Sequence, residues 1–472
     1  MKRVLAAAPA VVTALMLASC SAPPEPDPVP TAWALAEKVT ADAIYAHLEE
    51  LSAIATANRG SRAVGTPGYD ATVDYIAGVL RDKGFEVSTP EFEWLDLDNP
   101  GEPTLEVAGR SYPVTQASPL AGTPRGGVSG ESLRPREPAG CAAADYGDVR
   151  GALVIVDDTE CSVVAKQNAA IAKGAVGLLV VSAGGTEGLF EPGYYQKLTL
   201  PVAVIDRTTD AALRRTTAPV RLTLDAQAAV AKSRNVVAQT KTGDTANVVV
   251  AGANLDSAPR SPGINDNGTG VAALLAIADA LGPESQIGNA VRFAFWGSER
   301  LGAAGKYLSG LDAGELDDIA AYLDADMLGS TNAGFFTYDG DQSAEPSEAP
   351  EGSAGIERTL AGYLNLAGVR PADMPMDGTG DYSPFLKAGV PVGGVTTGST
   401  QLKSAVQARI WGGRAGAAFD PQNGTPRDGM DNVDHRALSI TGPAMAFAIG
   451  TYALSIEGDN GVPARDQRHR RG

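Results

Sequence analysis

The sequence predicts an α/β fold organised around parallel strands, and the prediction depends on residues 247–302. Within this stretch, residues 248–253 and 291–296 are apolar and β-branched or aromatic, as in buried strands, and residues 270–281 are typical of an apolar helix. A strand, a helix and a second strand at this spacing form a parallel βαβ unit. The sequence therefore predicts at least the centre of a parallel sheet.

Polar side chains follow both predicted strands. Asn254 ends the first strand, Asp266 precedes the helix, and Glu299 and Arg300 come shortly after the second strand. In open α/β sheets, functional side chains collect beyond the carboxyl ends of the strands. We therefore expect these four residues to lie at one edge of the sheet.

Three motifs in this stretch carry a family resemblance. Residues 252–257 read Gly-Ala-Asn-Leu-Asp-Ser, residues 265–270 read Asn-Asp-Asn-Gly-Thr-Gly, and residues 293–302 read Phe-Ala-Phe-Trp-Gly-Ser-Glu-Arg-Leu-Gly. They resemble the signatures of the secreted di-zinc aminopeptidase family (leucyl-aminopeptidase-like zinc exopeptidases). Further blocks that resemble the family follow in order at residues 323–330, 380–391 and 420–433.

The resemblance implies a mixed, mostly parallel sheet sandwiched by helices. It also implies a small inserted α/β module, because residues 140–177 resemble the protease-associated domain. The predicted organisation has six parts: a signal peptide over 1–19, a Pro-rich tether over 20–31, the peptidase-like domain over 32–112 and 229–460, the inserted domain over 113–228, and a disordered tail over 461–472.

The family's active site holds two zinc ions bridged by an aspartate. Carried over by position, Asp266 is the bridging ligand, Asp326 is a second retained ligand, and Glu299 is the general base. Asp256 corresponds to the residue that orients the first histidine ligand. The remaining three ligand positions are substituted: they hold Asn254, Arg300 and Gly424. The chain's histidines, His47, His435 and His469, fall at none of the ligand positions.

These substitutions predict that zinc is absent or weakly bound. Losing one residue that merely supports a ligand typically lowers metal affinity about 10- to 100-fold, and here three ligands are replaced. Arg300 cannot deprotonate. At ~4 Å and an effective dielectric of about 20, its charge would repel a divalent ion by about 8 kcal/mol, an upper bound that an outward-turned side chain escapes.

Two other arrangements of the site are also considered. Asn254 and Asp381 could complete an all-oxygen ligand set, which would suit calcium or magnesium better than zinc. Alternatively, the Arg300 guanidinium could replace the metal charge by bridging Asp266 or Asp326. A solvent-facing Arg300 without a partner is the simpler alternative to that bridge.

The amino terminus predicts export and lipid anchoring. A basic start and a short apolar run form a secretory signal, and residues 17–20 (Leu-Ala-Ser-Cys) resemble a bacterial lipoprotein box with Cys20 as the lipidated residue. The alternative is an ordinary signal with an incidental cysteine. Removing Lys2 and Arg3 with the signal changes the formal charge from −18 to −20, and this acidity argues against nucleic-acid binding.

Cys141 and Cys161 are the only cysteines besides Cys20. In an exported protein an even pair predicts a disulfide, and closing a loop of this size contributes about 3 kcal/mol in the chain-entropy model. A metal or redox role for the pair is the less favoured alternative.

Two functions therefore remain open. In the favoured one, the chain is a catalytically impaired, monomeric lipoprotein on the extracellular face of the membrane that binds a peptide or a protein partner. In the alternative, it is an active metallo-aminopeptidase with an unusual metal site. A non-peptidase hydrolase lacks a supporting nucleophile and base in the sequence.

Overall fold

The structure is a computed structural model that describes residues 31–97, 102–186, 189–190, 192–224, 228–344, 348–468 and 470. The predicted signal peptide, Cys20 and all of the tether except Thr31 lie outside these residues.

The helices and strands alternate along much of the chain. The strands are β1 Glu86–Ser88, β2 Glu91–Leu97, β3 Thr104–Val107, β4 Arg110–Tyr112, β5 Gln116–Ala117, β6 Val128–Gly130, β7 Ser132–Leu133, β8 Leu153–Asp157, β9 Gly177–Val181, β10 Val202–Ile205, β11 Val220–Thr223, β12 Ala228–Arg234, β13 Val236–Gln239, β14 Asp244–Asn254, β15 Asn289–Trp296, β16 Ile319–Ala325, β17 Phe336–Tyr338, β18 Ala372–Met374 and β19 Val392–Thr396. The helices are α1 Ala32–Lys38, α2 Ala41–Ala57, α3 Pro67–Asp82, α4 Val163–Ile171, α5 Pro192–Tyr195, α6 Arg207–Leu213, α7 Thr269–Leu281, α8 Ala303–Leu308, α9 Ala313–Asp318, α10 Ser353–Leu366, α11 Ser383–Lys387, α12 Ala405–Trp411 and α13 His435–Leu454.

The main sheet has eight strands in the order β1-β13-β15-β14-β16-β19-β17-β18. β14 lies at its centre and pairs in parallel with both β15 and β16, and β16 pairs in parallel with β19. The predicted βαβ unit is therefore present, with α7 as its crossover helix. The antiparallel pairs are β1 with β13, β13 with β15, and β17 with β19, which makes the sheet mixed and mostly parallel, as the resemblance implied.

Alternation along the strands gives the main sheet two apolar faces. Phe293 and Phe295 of β15 point into a core with α2, α3, α7 and α13. Ala294 and Trp296 point to the opposite face, into a core with α8 and α11. Because helices cover both faces, the strands are apolar at successive positions rather than at alternate ones.

α13 is the longest helix of the described chain. It has the length and mean hydropathy of a membrane-spanning segment, but 72% of its apolar window is buried in the fold. Such burial is typical of a core helix.

The inserted module contains two further sheets, ordered β5-β10-β9-β8-β7 and β4-β3-β11-β6. Leu153 and Ile155 of β8 pack towards the second sheet, and Val154 and Val156 pack with residues of α4. Cys141 and Cys161 are joined by a disulfide in this module.

The chain reaches and leaves the insert through an antiparallel pair, β2 and β12. The predicted start of the insert at residue 113 is too late, because β3 and β4 belong to its four-stranded sheet. Alternation explains this placement: Leu105 and Val107 face the same core as Val220 and Leu222.

The carboxyl-terminal tail is also different from its prediction. Arg465 pairs with Asp318 at 2.7 Å, and the Arg468 guanidinium donates to the carbonyl of Ala246 at 3.0 Å. The expectation of a disordered tail is therefore wrong for residues 461–468, because its arginines bond to backbone and side-chain oxygens around β14 and α9.

Candidate functional site

The carboxyl ends of the central strands position the candidate site. Asn254 is the last residue of β14, Asp326 directly follows β16, and Glu299 follows β15 after a two-residue turn. Because β14 is parallel to both neighbours, these side chains meet at one edge of the sheet. Asp266 reaches the same edge from the short segment Ile264–Gly268 that leads into α7.

A buried arginine supports the loop between β14 and this turn. The Arg62 guanidinium is fully buried and donates to the carbonyls of Leu255 at 2.6 Å, Pro262 at 2.9 Å and Gly263 at 2.6 Å. Burial lowers its pKa to about 10, against the opposing charge of Asp256. Arg62 is thus a structural cation beneath the site and not a group that faces a ligand.

An amide occupies the position of the first zinc ligand. The Nδ2 of Asn254 donates to Asp256 Oδ1 at 3.3 Å, so Asp256 keeps a partner at the position where the family has a histidine. The Oδ1 of Asn254 accepts a hydrogen bond from Asn267 Nδ2 at 3.0 Å. The Asn254 oxygen therefore already accepts one hydrogen bond, and an amide is not among the usual zinc ligands.

A second amide engages the bridging position. Asn423 Nδ2 donates to Asp266 Oδ2 at 2.8 Å, and the backbone N–H of Asp266 is held by Asp428 Oδ2 at 3.2 Å. Gly424, next to Asn423, has a φ of +67°. A Cβ atom added at this position would have one neighbour within 4 Å, the Cβ of Ala258 at 4.0 Å. The last ligand position offers space but no donor atom.

Arg300 does not take the place of the metal. Its side chain is exposed, and the ion pairs and hydrogen bonds of the described residues do not include one from its guanidinium to Asp266 or Asp326. The predicted bridge is therefore wrong, and the solvent-facing alternative describes the structure. The physical reason is that Arg300 follows the turn after β15 on the outer side of the site, where water solvates its charge.

The site contains a cavity of about 130 Å³. None of its seventeen lining residues is Lys, Arg or His, and five are acidic: Glu299, Asp324, Asp326, Asp377 and Asp381. We call this cavity the acidic pocket. Asn254 also lines it, whereas Asp266, Arg300 and Gly424 do not.

Two acids of the pocket differ in what surrounds them. Asp324 is held by the hydroxyls of Tyr322 at 2.9 Å and Tyr338 at 2.7 Å. Asp381 is 5% exposed, yet within the described chain its carboxylate accepts no hydrogen bond. Sequence reasoning considered Asp381 only as an alternative ligand and gave Asp324 and Asn423 no role of their own. An acid at position 324, where the family has Asn, was the available signal for Asp324.

Burial raises the pKa of Asp266, Glu299, Asp326 and Asp381. The pKa of Asp266 rises to about 6, through burial and then the Glu299 charge. Glu299 is exposed as a residue, but protein atoms surround its carboxyl group, and this desolvation, with the Asp324 charge, raises its pKa to about 7 while Arg300 opposes the shift. For Asp326 and Asp381, burial and the Glu299 charge raise the pKa well above the ordinary value.

The donor set does not fit the family's pair of zinc ions. Zinc sites use imidazole, thiolate and carboxylate ligands, and the substituted positions here supply an amide, a guanidinium and no side chain. Within the described residues, no three acids of the pocket place one oxygen each within 4.8 Å of one another. The pocket is therefore a concentration of negative charge without a preformed zinc geometry.

Fold and site together define a zinc-exopeptidase-like protein with substituted metal positions. Residues 235–449 match Peptidase family M28, and residues 128–213 match the PA domain. The chain is 44% identical over 457 residues to "Probable lipoprotein aminopeptidase LpqL" of Mycobacterium tuberculosis (strain ATCC 25618 / H37Rv), with 93% of this chain and 90% of that protein covered. The chain therefore belongs to peptidase family M28 and carries an inserted PA domain.

Two further comparisons agree with this assignment. An "Aminopeptidase" of Pseudomonas aeruginosa (strain UCBPP-PA14) is 34% identical over 451 residues, with 91% of this chain and 84% of that protein covered. The structure of BSAP, a zinc aminopeptidase from Bacillus subtilis, matches with a TM-score of 0.50 and 20% identity, over 91% of this chain and 99% of that one. At this identity the structural match shows the fold alone.

Proposed function

We propose that this protein is an exported member of the aminopeptidase family that binds the amino termini of peptides without cleaving them. The observation that carries the proposal is the acidic pocket, in which carboxylates remain while amides engage the oxygens around the zinc positions. A protein partner that presents its amino terminus would be recognised by the same chemistry.

Loss of catalysis follows from the donor set. In this family a metal-bound water supplies the nucleophile, and without a bound metal water stays a weak nucleophile at neutral pH. Glu299 remains where a general base would stand, with a pKa of about 7. It can hold or accept a proton there, but it faces no activated water.

An ammonium group fits the pocket in charge and in size. A peptide α-ammonium offers three N–H donors, and its hydrogen bonds to carboxylates are charge-assisted. Asp326 and Asp381 accept no hydrogen bond from the described protein groups, so both are available to such donors. A cavity of about 130 Å³ holds the ammonium end of a peptide, since one water takes about 30 Å³, and the rest of the chain would extend outwards.

A second candidate is an active metallo-aminopeptidase with an oxygen-ligand site. The unpartnered carboxylate of Asp381 favours it, because Asp381 could join Asp326 and Asp266 around calcium or magnesium. A free carboxylate serves an ammonium equally well, so metal analysis decides between the two candidates.

The experiment measures metal, binding and hydrolysis on one preparation. We expect the protein, after dialysis against buffer without chelator, to retain less than one zinc per ten chains and to leave aminoacyl-anilides uncleaved. In calorimetry, trialanine should bind, and N-acetyl-trialanine should bind at least about tenfold more weakly because it lacks the ammonium charge. Stoichiometric zinc with anilide hydrolysis would overturn the proposal, and equal binding of the two peptides would remove the ammonium as the recognised group.

Export and anchoring are part of the same proposal. The lipoprotein box at Cys20 and the name of the mycobacterial relative support a lipid-anchored protein on the extracellular face of the membrane. The mature protein is expected to run as a monomer in size-exclusion chromatography. A Cys20→Ser protein should leave the membrane fraction, and its retention there through a lipid would refute the anchor.

A further inference from the structure

A second group of acids lies outside the acidic pocket. Asp339 and Asp341 follow β17, and Glu357 lies on α10. One carboxylate oxygen from each lies within 4.8 Å of the other two. We call these three residues the β17 cluster.

The carboxylates of the cluster are held in place by backbone donors. The two oxygens of Asp339 accept from the N–H groups of Ser343 at 2.8 Å and Ala344 at 3.0 Å. Glu357 Oε2 accepts from the N–H of Asp341 at 2.9 Å. A carboxylate offers about four lone-pair directions, so backbone bonds of this kind can fix a carboxylate and still allow it to bind a cation.

An orphaned hydroxyl on the same face is an independent sign of a ligand. Thr337 is 1% exposed, and its Oγ1 has no hydrogen-bond partner. Thr337 of β17 pairs in register with Asp373 of β18, so their side chains share one face of the sheet. The Asp373 carboxylate accepts from Ser343 Oγ at 3.1 Å, which brings that acid to the same loop.

The face in question is the one that α10 covers. Val395 of β19 lies opposite Thr337 and belongs to the same core as Ile356 and Leu360 of α10. Glu357, between them in sequence, is 7% exposed. The Thr337 hydroxyl and the Glu357 carboxylate are therefore both buried in the layer between β17 and α10.

The charges of Asp341 and Glu357 are not balanced by nearby bases. Within the described chain, neither Asp341 nor Glu357 forms an ion pair with Lys, Arg or His. Burial, followed by the charges of Asp341, Asp373 and Asp339, raises the pKa of Glu357 to about 7. Three acids held this close repel one another unless a proton or a cation joins them.

We propose that the β17 cluster binds one calcium ion. Calcium takes six to eight oxygen ligands at about 2.3–2.6 Å in flexible geometry, and one oxygen from each of the three carboxylates lies within 4.8 Å of the other two. Magnesium, at about 2.1 Å, requires a tighter octahedron, and an all-oxygen set excludes a preference for zinc. Asp341 is exposed and leaves the ion open to water ligands.

Such an ion would also support a wall of the acidic pocket. The N–H of Asp339 donates to the carbonyl of Met374 at 2.9 Å, and Met374, Pro375 and Asp377 line the pocket. The calcium site itself does not depend on the proposed peptide binding, because its ligands lie outside the pocket lining.

Calcium titration of the mature full-length protein tests the proposal. After treatment with EDTA and buffer exchange, calorimetry with calcium chloride should show one site with a Kd of about 10⁻⁴–10⁻³ M, the range of extracellular calcium modules. Glu357→Gln and Asp341→Asn should each weaken binding at least about tenfold, and Glu49→Gln, at an exposed position of α2, should not. Calcium should also raise the unfolding temperature of the wild-type protein more than that of Glu357→Gln.

The variants separate a binding role from a structural one. In EDTA, Glu357→Gln should unfold at a temperature no lower than the wild-type protein, because an amide can still accept the Asp341 N–H and carries no charge. If Glu357→Gln proves unstable, the exposed Asp341→Asn decides the question. Absence of calcium binding at millimolar concentration, or unchanged binding in both variants, would overturn the proposal. Binding that is lost only in Asp381→Asn would place the ion in the acidic pocket and would overturn it as well.

Discussion

The acidic pocket and the β17 cluster are two concentrations of carboxylates in one domain, and they differ in what surrounds their oxygens. In the pocket, Tyr322 and Tyr338 donate to Asp324, and Asn423 donates to Asp266 beside it. In the β17 cluster, backbone N–H groups hold three carboxylates whose oxygens stay within 4.8 Å of one another. The pocket thus lies where the family has its metal site, whereas the oxygens of the cluster are as close together as those of a metal site.

This difference shows that a count of acids does not define a metal site. The pocket has five acidic lining residues, but hydroxyl and backbone N–H donors already bond to Asp324 and Asp377 and lower their need for a cation. The cluster has fewer acids, and its spacing and its unpartnered Thr337 hydroxyl fit an ion. Geometry and the existing partners of each oxygen decide which of the two regions binds metal.

The largest expected effect comes from restoring the family's ligands in the pocket. The combination of Asn254→His, Arg300→Glu and Gly424→His returns the three missing donors, and zinc affinity should rise at least about a thousandfold, since even supporting residues contribute about tenfold each. Residue 424 has space for the new side chain, although its φ of +67° makes a non-glycine residue unfavourable by about 1–2 kcal/mol. Zinc is measured by competition with a chromogenic chelator.

Two controls make this prediction specific. Arg300→Glu alone should not confer zinc binding, and the triple variant with Gly424→Gln in place of Gly424→His should bind far more weakly than the full set. Tight zinc binding by the unmodified protein would break the comparison, because the pocket would then be a metal site despite its donor set.

The second prediction concerns the pH dependence of stability that the β17 cluster produces. The pKa of Glu357 is about 7 in the folded protein and about 4.3 in an unfolded chain. The folded state therefore holds a proton on Glu357 at pH values where the unfolded chain has released it. The resulting stabilisation is fully present below about pH 4 and is lost as the pH rises through 7. Without calcium, the free energy of unfolding should fall by about 2 kcal/mol more in the wild-type protein than in Glu357→Gln. Denaturant unfolding in EDTA at pH 5 and pH 8 measures this difference, and saturating calcium should abolish it.

The third prediction tests the pocket with a single carboxylate. Asp381→Asn removes an unpartnered acid, and the affinity for trialanine should fall about tenfold, the effect of losing one hydrogen bond between charged groups. Asp82→Asn, at an exposed position near the end of α3, is the matched control and should bind as the wild-type protein does. An Asp381→Asn protein with unchanged peptide affinity and unchanged calcium affinity would show that neither ligand uses this acid.

Much of the fold could be predicted from the sequence because its signals are local. The apolar runs at β14 and β15 with α7 between them predict the parallel centre of the sheet, and the structure confirms it. The boundary of the insert was predicted less well, because the β3–β4 hairpin joins the insert through the pairing of β3 with β11, more than a hundred residues away in the chain. Pairing at that separation leaves no local pattern.

In the candidate site, too, some features could be predicted from the sequence and others could not. Residues at strand ends, such as Asn254, Glu299 and Asp326, could be placed by position along the chain. The contacts of Asn423 with Asp266 and the approach of Glu357 to Asp339 depend on loops and a helix that meet only in the folded protein. The direction of Arg300 was mispredicted because adjacency to Glu299 in sequence does not fix where a flexible guanidinium points.

The last prediction, which has the smallest expected effect, concerns a histidine outside both the acidic pocket and the β17 cluster. His47 of α2 has its Nδ1 at 2.7 Å from the Tyr75 hydroxyl, and burial, assisted by the Lys83 charge and opposed by Asp279, lowers its pKa. Because the folded-state pKa lies below the unfolded value of about 6.5, its contribution to stability is present above that pH and is lost as the pH falls. This pH dependence has the opposite sign to that of Glu357. Burial disfavours the charged form of both groups, and histidine is charged when protonated whereas glutamate is charged when deprotonated. His47→Gln keeps a hydrogen-bonding group but does not titrate, so unfolding curves between pH 7.5 and 5 should show a smaller loss of stability in the variant than in the wild-type protein. A steeper loss in His47→Gln would mean that His47 is stabilised in its protonated form, and the rule that burial alone sets the direction of these shifts would fail at this helix.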